Sequence, residues 1–206
     1  MLKFSFDESK NTVEVGIDEA GRGCLSGRVY VAGVIFKKEQ ELDDIFIQIK
    51  DSKKLSKKKR AMLREYIEHN ALCYSIQYAE PEQIDRENIL QATISTMHRV
   101  IDNLKILPET ILVDGNYFHM YQKNGEVIPH QLVKNGDNTY FSIAAASILA
   151  KEYHDEYVKE LCMKEPELCK YGWLTNMCYG TKQHLQAIQE YGISKYHRKS
   201  FAPCRI

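Results

Sequence analysis

The sequence predicts an α/β fold, with a central mixed β-sheet flanked by helices. Three observations carry that prediction. Short runs rich in β-branched and aromatic residues recur at 13–17, 28–36, 71–79 and 110–113. Amphipathic helical spacing fills much of the chain between them. One long segment, 139–165, opens small and apolar enough to lie tightly on a sheet, and elements interleaved in this way build one layered core.

Residues 13–17 form the first strand, which stops at Asp18-Glu19 before the glycine-rich turn Ala20-Gly21-Arg22-Gly23. The run RVYVAGVIF (28–36) predicts a second strand, paired with the first as a hairpin. Helical spacing follows at 39–49 and at 56–69, where Ser56 is placed to cap the helix. Residues 71–79 alternate as a strand. Residues 81–104 predict one helix, with Pro81 near its start and Leu90, Ile94, Met97 and Ile101 on one face. The strand 110–113 ends at Asp114, and Gly115-Asn116 turns the chain. A polar stretch with Gly125 and Gly136 leads to the helix 139–165. Residues 171–181 are expected as loop and 181–191 as a further helix.

A chain of 206 residues with 44% hydrophobic and 27% charged residues suits a single globular domain, 1–206. No apolar run approaches the ~18 residues of a membrane span, and MLKFSFDESK lacks the apolar core of a secretory signal. A cytoplasmic protein is expected, without a membrane partner. The six cysteines are scattered and form no C-x-x-C pair, so they predict reduced packing residues and not a zinc site.

A formal net charge of zero argues against a nucleic-acid partner, but the distribution argues for one. Lys50, Lys53, Lys54, Lys57, Lys58, Lys59, Arg60 and Arg64 face only Asp51 within 50–64. Lys195, His197, Arg198, Lys199 and Arg205 form a second basic cluster. Alone, such runs read as solvated faces; beside an acidic site they read as phosphate contacts.

Four acids suggest that site. Asp18 and Glu19 stand together at a strand end, and neighbours on a regular strand point to opposite faces. For both to reach one site, the strand must end or twist there, which the glycines permit. Asp114 also ends a strand, and Asp137 precedes the long helix. Carboxylates so placed suit a hard cation that also touches phosphate. For each acid the competing reading is a surface group, and for Asp137 it is a helix cap.

Together the segments VGIDEAGRG (15–23), DSKKLSKKKR (51–60), ILVDGN (111–116), GD with SIAAASILAK (136–151), YGTKQH (179–184) and HRKSF (197–201) resemble the type 2 ribonuclease H family. The resemblance implies a ribonuclease H-like fold with a small C-terminal helical, substrate-binding region over about 171–206. It implies that Asp18, Glu19, Asp114 and Asp137 hold Mg²⁺ or Mn²⁺ in a two-metal site. Gly21, Arg22 and Gly23 match the element that reads the 2′-hydroxyl, and Tyr179 matches the tyrosine that packs on the neighbouring deoxyribose. Ser52, Lys53 and Lys54 fall where the family contacts the phosphate backbone. The implied activity is in-line hydrolysis 5′ to the ribonucleotide, in RNA/DNA hybrids and in duplex DNA holding one ribonucleotide, giving a 3′-hydroxyl and a 5′-phosphate.

The sequence departs from the family pattern in places. Cys24 and Arg28 stand at usual prolines, and Met177-Cys178 replaces Lys-Gly. The Lys-Gly-Asp before the long helix is stretched to Lys134-Asn135-Gly136-Asp137. Tyr153-His154-Asp155 replaces Thr-Arg-Asp, and His154 reads as a surface or supporting histidine. The alternatives are a type 3 ribonuclease H, another ribonuclease H-like nuclease, and a non-catalytic nucleic-acid-binding module. Arg22 argues against the first, the G-R-G element and Tyr179 against the second, and the retention of all four acids against the third. With only 202–206 after HRKSF, a monomer without a clamp-binding peptide is expected.

Overall fold

The computed structural model describes residues 1–7, 9, 12–38 and 42–205. Strand β1 (Glu14–Ala20) pairs antiparallel with β2 (Val29–Ile35), the expected hairpin partner. Strand β3 (Cys73–Ala79) extends the antiparallel side along β2. On the other side β4 (Thr110–Asp114) runs parallel to β1. A small hairpin, β5 (Tyr121–Lys123) and β6 (Glu126–Ile128), precedes β7 (His130–Val133), which runs parallel to β4. The main sheet has the order β3-β2-β1-β4-β7 and is mixed, as the sequence predicts.

Six helices surround it among the described residues: α1 (Lys57–Asn70), α2 (Pro81–Glu87), α3 (Ile89–Asp102), α4 (Phe141–Lys164), α5 (Trp173–Asn176) and α6 (Lys182–Tyr191). Strand alternation divides the core between the two sheet faces. Val15, Ile17, Val31, Ile111 and Val113 pack with Met97, Val100 and Ile101 of α3. Ala32 and Val34 pack with Ala144, Ala145 and Ile148 of α4 and with Leu63 and Ile67 of α1. Each such branched side chain, fully buried, contributes about 1.5–3 kcal/mol. Helix α4 comes so close to β1 that a Cβ on Gly16 would lie 2.4 Å from the Ile143 nitrogen. A third cluster joins Cys24 and Leu25 to Val158 and Leu161 of α4 and to Tyr171, Trp173 and Ile188 of the C-terminal region.

Several expectations need correction. β1 does not stop at Ile17 but runs through both acids to Ala20. Of the expected helix 39–49, residues 39–41 lie outside the described residues, and the rest holds only a 3-10 turn at Phe46–Gln48. The single helix 81–104 is two helices, because Asn88 takes a φ of 67° and caps α3 by accepting from the Gln91 amide at 3.1 Å. The polar stretch before Gly136 contains three short strands. Its signal was Asn124-Gly125, whose φ values of 52° and 85° make a hairpin turn. The loop 171–181 holds the four-residue helix α5. Ser56 caps α1 as predicted, accepting from the Lys59 amide at 3.3 Å. All six cysteines are free and all but Cys169 are buried. Among the described residues no helix is long and apolar enough to cross a membrane.

Candidate metal centre and nucleic-acid interface

The run of β1 through residue 20 sorts the acids by parity. Gly16 and Ala20 face α4, so Asp18 between them does too, while Glu19 turns toward the face of Val15 and Ile17. On β4, Ile111 and Val113 face α3, which sends Asp114 to the α4 side. Asp137 arrives on the same side in the 3-10 turn Gly136–Asn138 that precedes α4. Oxygen atoms of Asp18, Asp114 and Asp137 lie within 4.8 Å of one another.

Each is held. The Gly136 amide donates to Asp114 Oδ1 at 2.7 Å, and the Glu19 amide to Asp18 Oδ1 at 2.7 Å. Asn138 Nδ2 donates to Asp137 Oδ1 at 2.8 Å. Asp137 is not the cap of α4; Tyr140 holds that position without a side-chain cap. Asn135, the residue that lengthens the loop, takes a left-handed φ of 55°, which asparagine tolerates. Glu19 stands at the edge of the group, paired with Arg22 at 3.4 Å.

The electrostatics fit a hard cation. Burial, then the charges of Glu19 and Asp114, push the Asp18 carboxyl well above the usual range. Burial, then Asp51 and Asp114, raise Asp137. Burial raises Glu19, with Arg22 opposing and Asp114 reinforcing the shift. At this spacing two carboxylates repel by roughly 3–4 kcal/mol at an effective dielectric of ~20. An all-oxygen set that repels itself in this way suits Mg²⁺ or Mn²⁺, which take carboxylate and water ligands.

The glycine-arginine-glycine turn adjoins Tyr179. A Cβ built on Gly23 would stand 3.9 Å from Tyr179 Cε1, so the ring lies against the turn. The half-exposed Tyr179 ring also has Lys151 Nζ 5.5 Å from its centroid and His154 at 6.4 Å between centroids. His154 is fully buried and not at the surface; a Cβ on Gly21 would meet its ring at 2.5 Å. Loop 24–27 binds turn and tyrosine together. Cys24 bridges to Tyr179, the Leu25 amide donates to the Cys178 carbonyl at 2.9 Å, and Ser26 bridges to His197.

The departures from the family pattern meet in this region. Cys24 Sγ donates to the Met177 carbonyl at 3.3 Å. Met177 and Cys178 take φ values of 48° and 66°, so Cys178 adopts the conformation that glycine favours at that place. Arg28 donates to Glu80 at 2.6 Å, with its guanidinium 3.8 Å from the Tyr78 ring centroid and 4.5 Å from that of Tyr157.

The basic segment is split. Lys53 and Lys54 are exposed, and the Lys53 charge acts on Glu19, Asp51 and Asp137. Lys54 Nζ donates to Asn138 Oδ1. Ser52 is buried, its hydroxyl 3.0 Å from that of Ser147, which in turn bonds Asp18. Arg60 and Arg64 are taken up by acids of α1 and α4.

Sequence reasoning missed the part played by four residues. Asp51 is buried, accepts from the Lys53 amide at 2.9 Å and from Asn138 at 3.4 Å, and so ties the lysine turn to the Asp137 turn. His184 and His197 form a buried pair with Nε2 atoms 3.0 Å apart. Arg198, read as part of a surface cluster, is fully buried beneath the turn. The motif segments around them were legible; their burial was not.

A family model described as Ribonuclease HII matches residues 15–204. A ribonuclease HII of Parabacteroides distasonis is 48% identical over 189 residues, covering 92% of this chain and 89% of its own. The solved ribonuclease H2 of Pyrococcus horikoshii OT3 superposes with a TM-score of 0.74 at 21% identity, covering 94% of this chain and 95% of its own. The ribonuclease HII of Archaeoglobus fulgidus, solved in a complex with PCNA, gives 0.74 at 26% identity, covering 90% and 93%.

Proposed function

The chain belongs to the ribonuclease HII family and is thereby an endonuclease acting on nucleic acid, and from that premise we propose that it cuts at ribonucleotides, both in RNA/DNA hybrids and singly embedded in duplex DNA. The cut falls 5′ to the ribonucleotide and leaves a 3′-hydroxyl and a 5′-phosphate. The observation that carries this reading is the convergence of Asp18, Asp114 and Asp137 within 4.8 Å on a chain that also sets Tyr179 against the Gly21-Arg22-Gly23 turn.

In this reading the three aspartates hold Mg²⁺ or Mn²⁺, with Glu19 joining from the edge of the group. The cation supplies Lewis-acid polarisation of the phosphate and of the attacking water. The chain's own residues do the rest. Ser52 and Ser147 hold Asp18, and the Gly136 amide holds Asp114. Lys53 and Lys54 receive the phosphate backbone. The turn meets the 2′-hydroxyl, the one local group that separates RNA from DNA. Tyr179 packs on the deoxyribose 3′ to the cut. The test is cleavage of a DNA duplex holding one ribonucleotide, with Mg²⁺ and with EDTA. Product that depends on both the ribonucleotide and the metal is expected; cutting of an all-DNA duplex, or metal-independent cutting, would refute the reading.

A further inference from the structure

Arg198 is fully buried, and its hydrogen bonds identify what it does. Nε donates to the Gly27 carbonyl at 3.0 Å, Nη1 to the Arg22 carbonyl at 2.9 Å and Nη2 to the Gly21 carbonyl at 2.8 Å. All three acceptors are main-chain oxygens, and among the described residues no carboxylate takes part. Burying a charge without a counter-ion is costly, so a less expensive residue would serve if the need were only to fill space. The planar fork of the guanidinium offers what no other side chain does: donors at fixed angles to successive carbonyls.

The consequence lies on the far side of those peptide planes. Every peptide bond described is trans, so each carbonyl points opposite to the amide that follows it. Drawing the Gly21 and Arg22 oxygens inward to Arg198 turns the Arg22 and Gly23 amides outward. Both residues are exposed, and neither amide has an acceptor among the described residues. The Arg198 backbone is itself anchored, its amide donating to the Leu25 carbonyl at 2.9 Å.

We propose that Arg198 is a positioning residue for sugar discrimination: it fixes the Gly21–Gly23 backbone from beneath so that two outward amides meet the 2′-hydroxyl. This rests on the functional reading above. It assigns to the buried arginine, and not only to the turn it holds, the selection of RNA over DNA.

The test uses the full chain with Arg198→Lys, which keeps the charge but not the fork, and Arg198→Met, which keeps only the stem. Two quantities are read: kcat/KM on the single-ribonucleotide duplex, and Ki of the all-DNA duplex of the same sequence as competitor. The expected result is a fall in kcat/KM of about 10–100-fold, the loss set by hydrogen bonds to a charged donor, greater for methionine than for lysine, with the all-DNA Ki unchanged. A purely structural role would weaken both together, and that outcome, or wild-type kcat/KM in both variants, overturns the proposal. If the wild type does not cut at all, the functional reading falls first and takes this inference with it. Should neither variant melt cooperatively, amide exchange in the wild type decides. The Arg22 and Gly23 amides must be slowed by the ribonucleotide duplex more than by its all-DNA counterpart, and equal slowing overturns the proposal.

Discussion

Arg60 Nε donates to Glu152 Oε1 at 2.6 Å, joining α1 to α4 inside the molecule. Arg60 also reaches Asp155 at 3.5 Å, and both partners are largely buried. This arginine belongs to the run that the sequence offers as a phosphate surface, yet it faces inward. Arg60→Ala takes from Glu152 its ion-pair partner, while Asp155 keeps Lys151 and His154, and is expected to cost about 3–5 kcal/mol of stability, read by denaturant unfolding. Lys53→Ala with Lys54→Ala is expected to leave stability nearly unchanged and to reduce the slope of log affinity against log salt by about 0.9 per lost phosphate contact. Equal salt slopes in wild type and the double variant would remove the lysines from the interface.

Gly21 and Gly23 flank one arginine and carry different constraints. At Gly21 the φ is +82°, and a Cβ would meet His154 at 2.5 Å and the Arg28 carbonyl at 2.9 Å. Gly21→Ala is expected to destabilise by about 2–5 kcal/mol, from left-handed strain and overpacking together. At Gly23 a Cβ touches only Tyr179, so Gly23→Ala should melt like the wild type while crowding the sugar and lowering cleavage. Matching melting temperatures for the two variants would contradict this division.

Tyr179 is expected to set the preference for a deoxyribose 3′ to the cut. A 2′-hydroxyl buried against its ring without a partner costs about 1–3 kcal/mol, or five- to a hundred-fold. Tyr179→Ala should therefore lower kcat/KM on a single embedded ribonucleotide more than on a long hybrid, and Tyr179→Phe should retain most of the ratio. Equal losses on both substrates would make it a general contact.

The His184–His197 pair carries a pH dependence. The Ser194 amide donates to His197 Nδ1 at 2.9 Å, and Trp173 Nε1 donates to His184 Nε2 at 3.1 Å. Those acceptors require neutral rings, with His184 donating from Nδ1 to the Tyr179 carbonyl at 3.1 Å and His197 donating from Nε2 to His184. Burial, then the neighbouring His184, brings His197 down to about 4, and burial lowers His184. With folded values below the unfolded value of ~6.5, the unfolded chain binds more protons in the interval. The pair's stability is therefore complete above about pH 6.5 and is lost as pH falls toward the folded values. Imidazole ¹⁵N shifts that reveal either ring titrating near pH 6.5 in the folded protein would refute the assignment.

The fold was largely legible because its strands and long helix carry strong periodicity; the Asp114 position followed from where its strand ends and the Asp137 position from where the long helix begins. Parity could be applied only once the end of β1 was known: the strand runs three residues further, which leaves Glu19 at the edge of the group beside Arg22. What stayed hidden was burial of charge. Nothing local distinguishes Arg198 or Arg60 from the lysines beside them, since the carbonyls and carboxylates that receive them come from segments distant in sequence. Met177-Cys178 departs from the family pattern in sequence, yet Cys178 takes a left-handed φ and Met177 offers its carbonyl to Cys24.

Asp18 is raised by burial, then by Glu19 and Asp114, and the sign of its contribution follows. Between its unfolded value near ~3.9 and its raised folded value the folded chain binds the extra proton, so stability falls as pH rises through that interval. Above that interval the raised carboxyl opposes folding in the metal-free protein. Asp18→Asn is expected to melt higher than wild type in EDTA and to gain less from added Mg²⁺; a lower melting temperature in EDTA would contradict the repulsion ascribed to the cluster.

The central claim is that the aspartates brought together on the α4 side of the sheet hold the metal used for cutting. The most direct measurement is turnover of a single-ribonucleotide duplex by purified Asp114→Asn at saturating Mg²⁺, beside wild type, with duplex affinity measured on the same preparations. The account predicts no turnover above background in a folded variant that binds the duplex at least as tightly as wild type, since a negative charge facing the phosphate is gone. Near-wild-type turnover would contradict it.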